Sequence, residues 1–318
     1  MTDTEIEAFE RVAPDNLFPK GYLAANPDLA KAFGDKEKAA AEHFANHGHA
    51  EGRFQMTPAY FAWRADAAEQ AARYARFRDC LIVPPDGASR FPIQIGTQFE
   101  SLQDYQCESA NATPSEFATV INGNPDGRYI DVGAGLRTRI FRNCLNVEVY
   151  PSYTTDVVIE PTCRLPFRDA SFDGLGCFAV LEHVREPWTM VEEFARIVRP
   201  GGHVFIDWPF LQPVHGFPSH YYNATQEGVR ALFERDFEIL HLHTGLHQGP
   251  DFTVQWILSA LLADISDPAI KARLANMTVG EFAALPPQSA FWHQILAQLK
   301  PADIVKLGCG NSLIGVRK

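Results

Sequence analysis

From Asp126 onward, short apolar runs alternate with amphipathic stretches. The runs "RYIDV" (128–132), "NVEVY" (146–150), "DVVIE" (156–160), "FDGLGCF" (172–178) and "HVFIDW" (203–208) read as strands. Pro187 to Val198 reads as a helix, with a proline start, an apolar stripe of Met190, Val191, Phe194, Ile197 and Val198, and "RPGG" as its stop. A second helix is expected near Thr225 to Phe233. "FEILHLH" (237–243) reads as a further strand, His247 to Lys300 as helical, and "NSLIGVRK" (311–318) as a closing strand. Strands alternating with helices predict an α/β domain with a largely parallel sheet.

The first hundred residues follow a different pattern. Between Phe18 and Phe54, Tyr22, Leu23, Leu29, Ala30, Phe33, Ala39, Phe44 and Ala45 recur at helical spacing, broken by "NPD" and "GD", which predicts two or three short helices. Thr57 and Pro58 then open a longer helix that runs towards Leu81, and "VPPDGASRFP" (83–92) reads as a linker. The expected domains are therefore a helical N-terminal module at 1–91 and an α/β domain at 92–318, with a helical insertion at about 248–303 that covers one edge of its site.

Composition narrows the function classes. The 318 residues are 46% hydrophobic, enough for a sizeable core. A formal net charge of −11 argues against a nucleic-acid partner, which needs clustered lysine and arginine. Cys80, Cys107, Cys144, Cys163, Cys177 and Cys309 lie far apart with no CxxC pair, the pattern of reduced thiols in the cytosol. The acidic N-terminus lacks the layout of a signal peptide, and no apolar run reaches the roughly 20 residues of a membrane span, so a cytoplasmic location is expected.

The first candidate chemistry lies in "YIDVGAGLRTRIF" (129–141). In an open α/β sheet, ligands bind beyond the carboxyl ends of the strands, and glycines there let a ligand approach the backbone; Asp131, Gly133 and Gly135 occupy that position. Glu148, within "NVEVY", is the acidic end of its strand, either as a carboxylate for two ribose hydroxyls or as a solvated strand end.

The order D-x-G-x-G, acidic strand end, "EPTCRLPF", "SFD", "LEH" and "RIVRPGG" resembles the class I S-adenosylmethionine-dependent methyltransferases, over roughly Asp126 to Phe237 plus the closing strand. The resemblance implies a Rossmann-like fold with a mostly parallel seven-stranded sheet, and S-adenosyl-L-methionine as cofactor. It places Asp131, Gly133 and Gly135 against the methionine part, Glu148 at the ribose and Glu160 at the adenine amino group, and adds Ala134, Val149, Pro161 and Phe178 as cofactor-binding neighbours. The N-terminal pattern "Y-L-x-x-N-P-D … H-x-x-x-x-G-x-x-E-G-R" is similar to a helical module of bacterial surface-glycan assembly proteins.

Two features depart from the family pattern. Arg137 stands where many members carry a third glycine; it either meets the methionine carboxylate, to which a guanidinium is suited, or faces outward. The chain between Gly135 and "NVEVY", and between Tyr150 and "DVVIE", is too short for ordinary parallel crossovers, so the first two crossover helices are expected to be stunted or absent.

The loop after the fifth strand, "DWPFLQPVHGFPSHYYNAT" (207–225), is the richest in polar chemistry. Asp207, His215 and His220 are candidates for a base, joined by His183 of "LEHV", which either lines the pocket or supports it by hydrogen bonding. Tyr221 and Tyr222 are candidate substrate contacts; the alternative is a proline-rich loop packed by its aromatics. "HLHTGLH" raises a metal alternative through His241, His243 and His247, but no carboxylate or cysteine completes the set and methyl transfer from a sulfonium needs no metal, so none is expected.

These readings converge on O-methylation of a sugar, glycan or other hydroxylated small molecule. An N- or C-methyltransferase of a metabolite, a non-catalytic cofactor-binding regulator and, more weakly, a nicotinamide-dependent dehydrogenase are the alternatives.

Overall fold

The computed structural model describes residues 4–97, 110–216, 219–309 and 316. It divides into two compact units, Met1–Asp207 with Arg235–Phe237, and Trp208–Glu234 with Glu238–Lys318.

The first unit is built on a six-stranded sheet in the order Val198–Asp207, Phe172–Phe178, Tyr129–Val132, Cys144–Glu148, Val157–Val158, Ile93–Gln94, with every neighbouring pair parallel. The central strands are buried on both faces, which is why they read as continuous apolar runs rather than alternating ones. Pairing of Gly176 with Asp131, Asp131 with Asn146, and Glu148 with Val158 brings the carboxyl ends of the strands to one side. Helix Pro187–Ile197 buries Met190, Val191, Phe194 and Ile197 as its stripe predicts. Helix Ser115–Gly123, not evident from the sequence pattern, packs Phe117 and Ile121 against Tyr129, Phe141 and Cys144.

No helix connects Tyr129–Val132 to Cys144–Glu148. Two short strands take its place: Leu136–Arg137 pairs with Ala110–Asn111, and Arg139–Phe141 pairs with Glu5–Glu7 near the N-terminus. The segment expected as one helix after Thr57 is two, Pro58–Ala65 and Ala67–Phe77, because Asp66 adopts an extended conformation and caps the second through Ala68 and Glu69 N–H. These helices are fastened to the shortened connections. Tyr60 donates its hydroxyl to Tyr153 O at 2.7 Å, and Arg64 donates to Thr155 O at 2.5 Å and Asp156 Oδ1 at 3.1 Å. Arg73 pairs with both oxygens of Asp156 and donates to Cys144 O. The linker region ends in the edge strand Ile93–Gln94, so the N-terminal residues and the sheet form one compact unit.

The N-terminal motif is accounted for by internal contacts. Asn26 donates to Tyr22 O (2.7 Å) and Phe54 O (2.8 Å), Arg53 donates to Asn26 Oδ1 (3.2 Å) and Asp28 (2.9 Å), and Tyr22 hydroxyl meets His43 Nδ1 at 3.1 Å. A Cβ on Gly48 would lie 2.0 Å from the Tyr22 hydroxyl, and Gly52 has φ 64°, a left-handed helix end.

The second unit holds helices Gln226–Phe233, Pro250–Asp264, Pro268–Ala275, Val279–Ala283, Ala290–Leu296 and Pro301–Leu307. Leu261, Ile265, Leu274, Phe291 and Ile295 form its core. Asp267, Thr278 and Ser289 cap their helices in the way their positions suggest. The strand expected at 237–243 does not form: Leu240 is 64% exposed, and Val198–Asp207 ends the described sheet with no further strand beside it. An apolar alternation becomes a strand only with a hydrogen-bonding neighbour. All but Val316 of the closing strand expected at 311–318 lies outside the described residues, and the described sheet has six strands.

Candidate functional site

The turn after Tyr129–Val132 places Gly133 at φ 70° and Gly135 at φ 60°, conformations that disfavour any side chain with a Cβ. Gly133 and Ala134 donate their N–H groups to Val147 O, at 2.9 and 3.1 Å, which ties the turn to the neighbouring strand. A Cβ on Gly133 would fall 2.3 Å from a methyl of Val180, so this glycine also serves packing.

Arg137 is neither outward-facing nor exposed. It is buried beside Asp131, donating from Nε to Oδ2 at 2.8 Å and from Nη2 to Oδ1 at 3.1 Å, with its guanidinium 5.5 Å from the centre of the Phe178 ring. Its backbone N–H donates to Thr154 Oγ1 at 3.1 Å. Burial by itself would lower the guanidinium pKa, but the charge and hydrogen bonds of Asp131, with the neighbouring acidic groups, raise it on balance. The turn therefore begins at a buried, internally neutralised pair.

Glu148 is also buried rather than a solvated strand end. Its Oε1 accepts Gly135 N–H at 3.0 Å and its Oε2 accepts Val149 N–H at 2.7 Å. Burial pushes its carboxyl up to about 7, with the two backbone donors pulling the other way. Glu160 is exposed and reaches back to accept Thr97 N–H at 2.7 Å, while Pro161 beside it is partly buried. Phe178 packs at 5.7 Å from Phe117. In the short helix Leu181–His183, Glu182 is buried and its carboxyl is likewise pushed to about 7 by desolvation; His183 Nε2 lies 3.7 Å from it.

Asp207 ends the last strand opposite Phe178, and its carbonyl accepts Ala179 N–H at 2.9 Å. The remaining candidates lie in the second unit. His215 Nδ1 meets Pro213 O at 2.8 Å, with its ring 4.6 Å from that of His220 and 5.0 Å from that of Trp256. His220 has both ring nitrogens engaged, Nδ1 by His215 N–H at 3.4 Å and Nε2 by Asn223 Oδ1 at 2.8 Å. Burial lowers the His215 pKa. Tyr221 and Tyr222 are exposed, their ring centres 6.2 Å apart. His241, His243 and His247 are exposed and share no strand.

Sequence reasoning missed Asp156 and the two arginines on it. The signal was present in the helix Ala67–Phe77, where Gln70, Arg73, Tyr74 and Phe77 share the buried face at i, i+3, i+4 and i+7, so that Arg73 needs a buried partner. Thr154, which holds Arg137, carries no comparable mark.

The donor set fits S-adenosylmethionine. Asp131 and Arg137, though paired with each other, are of the charge types that an α-ammonium and an α-carboxylate would engage, and Glu148 is a buried carboxylate whose oxygens retain lone pairs for hydroxyl donors.

Residues 130–206 match the family model described as a methyltransferase domain. The chain is 32% identical over 92 residues to a tRNA U34 carboxymethyltransferase of Campylobacter curvus, covering 24% of this chain and 31% of that protein. It is 39% identical over 54 residues to a ubiquinone biosynthesis O-methyltransferase of Proteus mirabilis, covering 17% and 21%. The chain thus spans a third or less of these relatives. A crystal structure of a Thermotoga maritima SAM-dependent methyltransferase aligns with 36% of this chain and 64% of its own, at 18% identity and a TM-score of 0.27. Residues 130–206 thus carry a methyltransferase domain, and its parallel strands with the glycine turn at their centre give it a Rossmann-like fold.

Proposed function

We propose that the protein transfers a methyl group from S-adenosylmethionine to a hydroxyl of a sugar, a glycan or another hydroxylated small molecule. The observation that carries the cofactor half is the clustering of the Asp131–Arg137 pair and buried Glu148 around the Gly133–Gly135 turn. The cofactor supplies a methyl already activated on positive sulfur. The chain's part is to orient donor and acceptor in a dry site and to take the hydroxyl proton. Oxygen as the acceptor atom is supported by the O-methyltransferase relative; the glycan leaning rests on the N-terminal similarity, whose motif residues are engaged within the fold.

The loop in the second unit favours His215 over His220 as the base. An N–H donated into His220 Nδ1 fixes its proton on Nε2, which points to Asn223. His215 gives Nδ1–H to Pro213 O, which puts the basic lone pair of its neutral ring on Nε2. A second reading, cofactor binding without turnover, is favoured by one observation: Arg137 already occupies Asp131. Calorimetric titration with S-adenosylhomocysteine followed by an acceptor screen that includes sugar nucleotides separates the two, since heat without turnover on any acceptor supports a regulator and no heat rejects both.

Glu148→Ala is expected to weaken S-adenosylhomocysteine binding by about 1–3 kcal/mol. Wild-type affinity should also fall as pH drops below about 7, where the Glu148 carboxyl takes up its proton and accepts hydroxyl donors less well, and Glu148→Gln should flatten that dependence. Stability moves oppositely. A folded-state pKa raised above the unfolded value means the native state binds the extra proton, so the contribution of Glu148 declines as pH rises from 4.5 to about 7. Thermal melts of wild type and Glu148→Gln across that window check the sign.

A further inference from the structure

We propose a second binding site, at the amino ends of the edge strands Val157–Val158 and Ile93–Gln94, that takes the phosphate group of a phosphorylated small molecule. The site is a cavity of ≈ 300 Å³ whose lining includes Arg64, Gln70, Arg90, Phe91 and Pro92, and no acidic side chain. That volume lies at the lower end of the range of small-molecule pockets.

The local charge is the reverse of that of the whole chain, which carries −11. Arg64 and Arg73 share a single carboxylate, Asp156, and Arg73 lies 5.5 Å from the centre of the Phe91 ring that walls the cavity. Arg90 is exposed and makes no hydrogen bond or ion pair with the described residues. Arg73 and Asp156 form a buried pair behind the wall, and Arg64 and Arg90 are the two cations of the lining itself. Neither acid of the adjoining helix start lines the cavity: Asp66, between the lining residues Ala65 and Ala67, accepts Ala68 and Glu69 N–H at 2.9 and 3.2 Å, and Glu69 accepts Trp63 Nε1–H at 3.2 Å and pairs with Arg142.

A guanidinium is planar, always charged and matched to two oxygens of a phosphate. Gln70 adds an amide to the lining, and Phe91 and Pro92 offer an apolar wall to the remainder of the ligand. Asp156 precedes its strand and Glu160 follows it, about 13 Å apart at roughly 3.3 Å per residue. The cavity is thus at the end of the strands opposite the glycine turn, and a ligand held there is not the methyl acceptor. The proposal stands whether or not the protein turns over a methyl acceptor.

The test is isothermal titration of the full chain with inorganic phosphate and pyrophosphate at constant ionic strength, with succinate as the carboxylate control. Saturable pyrophosphate binding is expected, about ten-fold weaker in Arg90→Glu, with the ligand-free melting temperature and S-adenosylhomocysteine affinity of that variant unchanged. Absence of saturable binding by both phosphates, or binding to Arg90→Glu equal to wild type, would overturn the site. Succinate binding as tight as pyrophosphate would overturn its assignment to phosphate.

Discussion

Arg73→Met should destabilise the first unit by about 3–5 kcal/mol, the cost of leaving a buried carboxylate without its main partner. Asp156 is 1% exposed, takes two oxygens' worth of contact from Arg73, and also accepts Asn146 N–H at 2.8 Å. Arg64 remains, but it is less buried and meets only Oδ1. For a unit of this size the loss corresponds to a fall of roughly 10 °C in melting temperature. Asp156→Asn in the same chain should restore much of it, because the uncompensated charge is then gone; a single-variant loss below about 1 kcal/mol would mean Arg64 suffices. A chain starting at Pro92 lacks both arginines and the strand Glu5–Glu7 that pairs with Arg139–Phe141, and is expected to show no cooperative melt. The shift in composition near residue 91 marks a change of local structure, and the hydrogen bonds across it are what make the two sides depend on each other.

His215→Ala should lower kcat by about 10²–10⁴-fold on the true acceptor, the usual contribution of a general base, with S-adenosylhomocysteine affinity nearly intact. His220→Ala removes hydrogen bonds to His215 N–H and Asn223 that hold the loop, and a smaller loss, of order ten-fold, is expected from about 1 kcal/mol of positioning. The pH profile distinguishes the roles. Burial keeps the His215 pKa below its ordinary value, so wild-type kcat should hold its level to below pH 6.5, and His215→Ala should lose that acid limb while His220→Ala keeps it. Near-normal kcat in His215→Ala with a large loss in His220→Ala would reverse the assignment.

The strands Tyr129–Val132, Cys144–Glu148, Val157–Val158 and Phe172–Phe178, the helix Pro187–Ile197 and the helical character of the stretch after residue 250 were legible in the sequence, because local signals specify them: an apolar run, a stripe of period 3.6, a proline start. So were the glycine turn and the brevity of the two crossovers. The fate of the individual polar side chains was not. Arg137 reads from sequence as a ligand contact or a surface charge, and becomes the partner of Asp131 only because the Leu136–Arg137 strand turns back beside the strand that carries it. Glu148 acquires its raised pKa from burial, against the opposing pull of donors on Gly135 and Val149, and the former is thirteen positions away. Val198 and the "RPGG" read as helix end and stop begin the strand Val198–Asp207 instead. Residues 237–243 carry a strand's pattern without a neighbour to pair with among the described residues. The sequence by itself determined the order and type of most elements and the position of the glycine turn, since these depend on contacts within a few residues. Only the tertiary structure decided which charges are paired, which carboxyls are buried, and that the N-terminal helices fasten the shortened crossovers, since each of these depends on residues brought together across tens of positions in the chain.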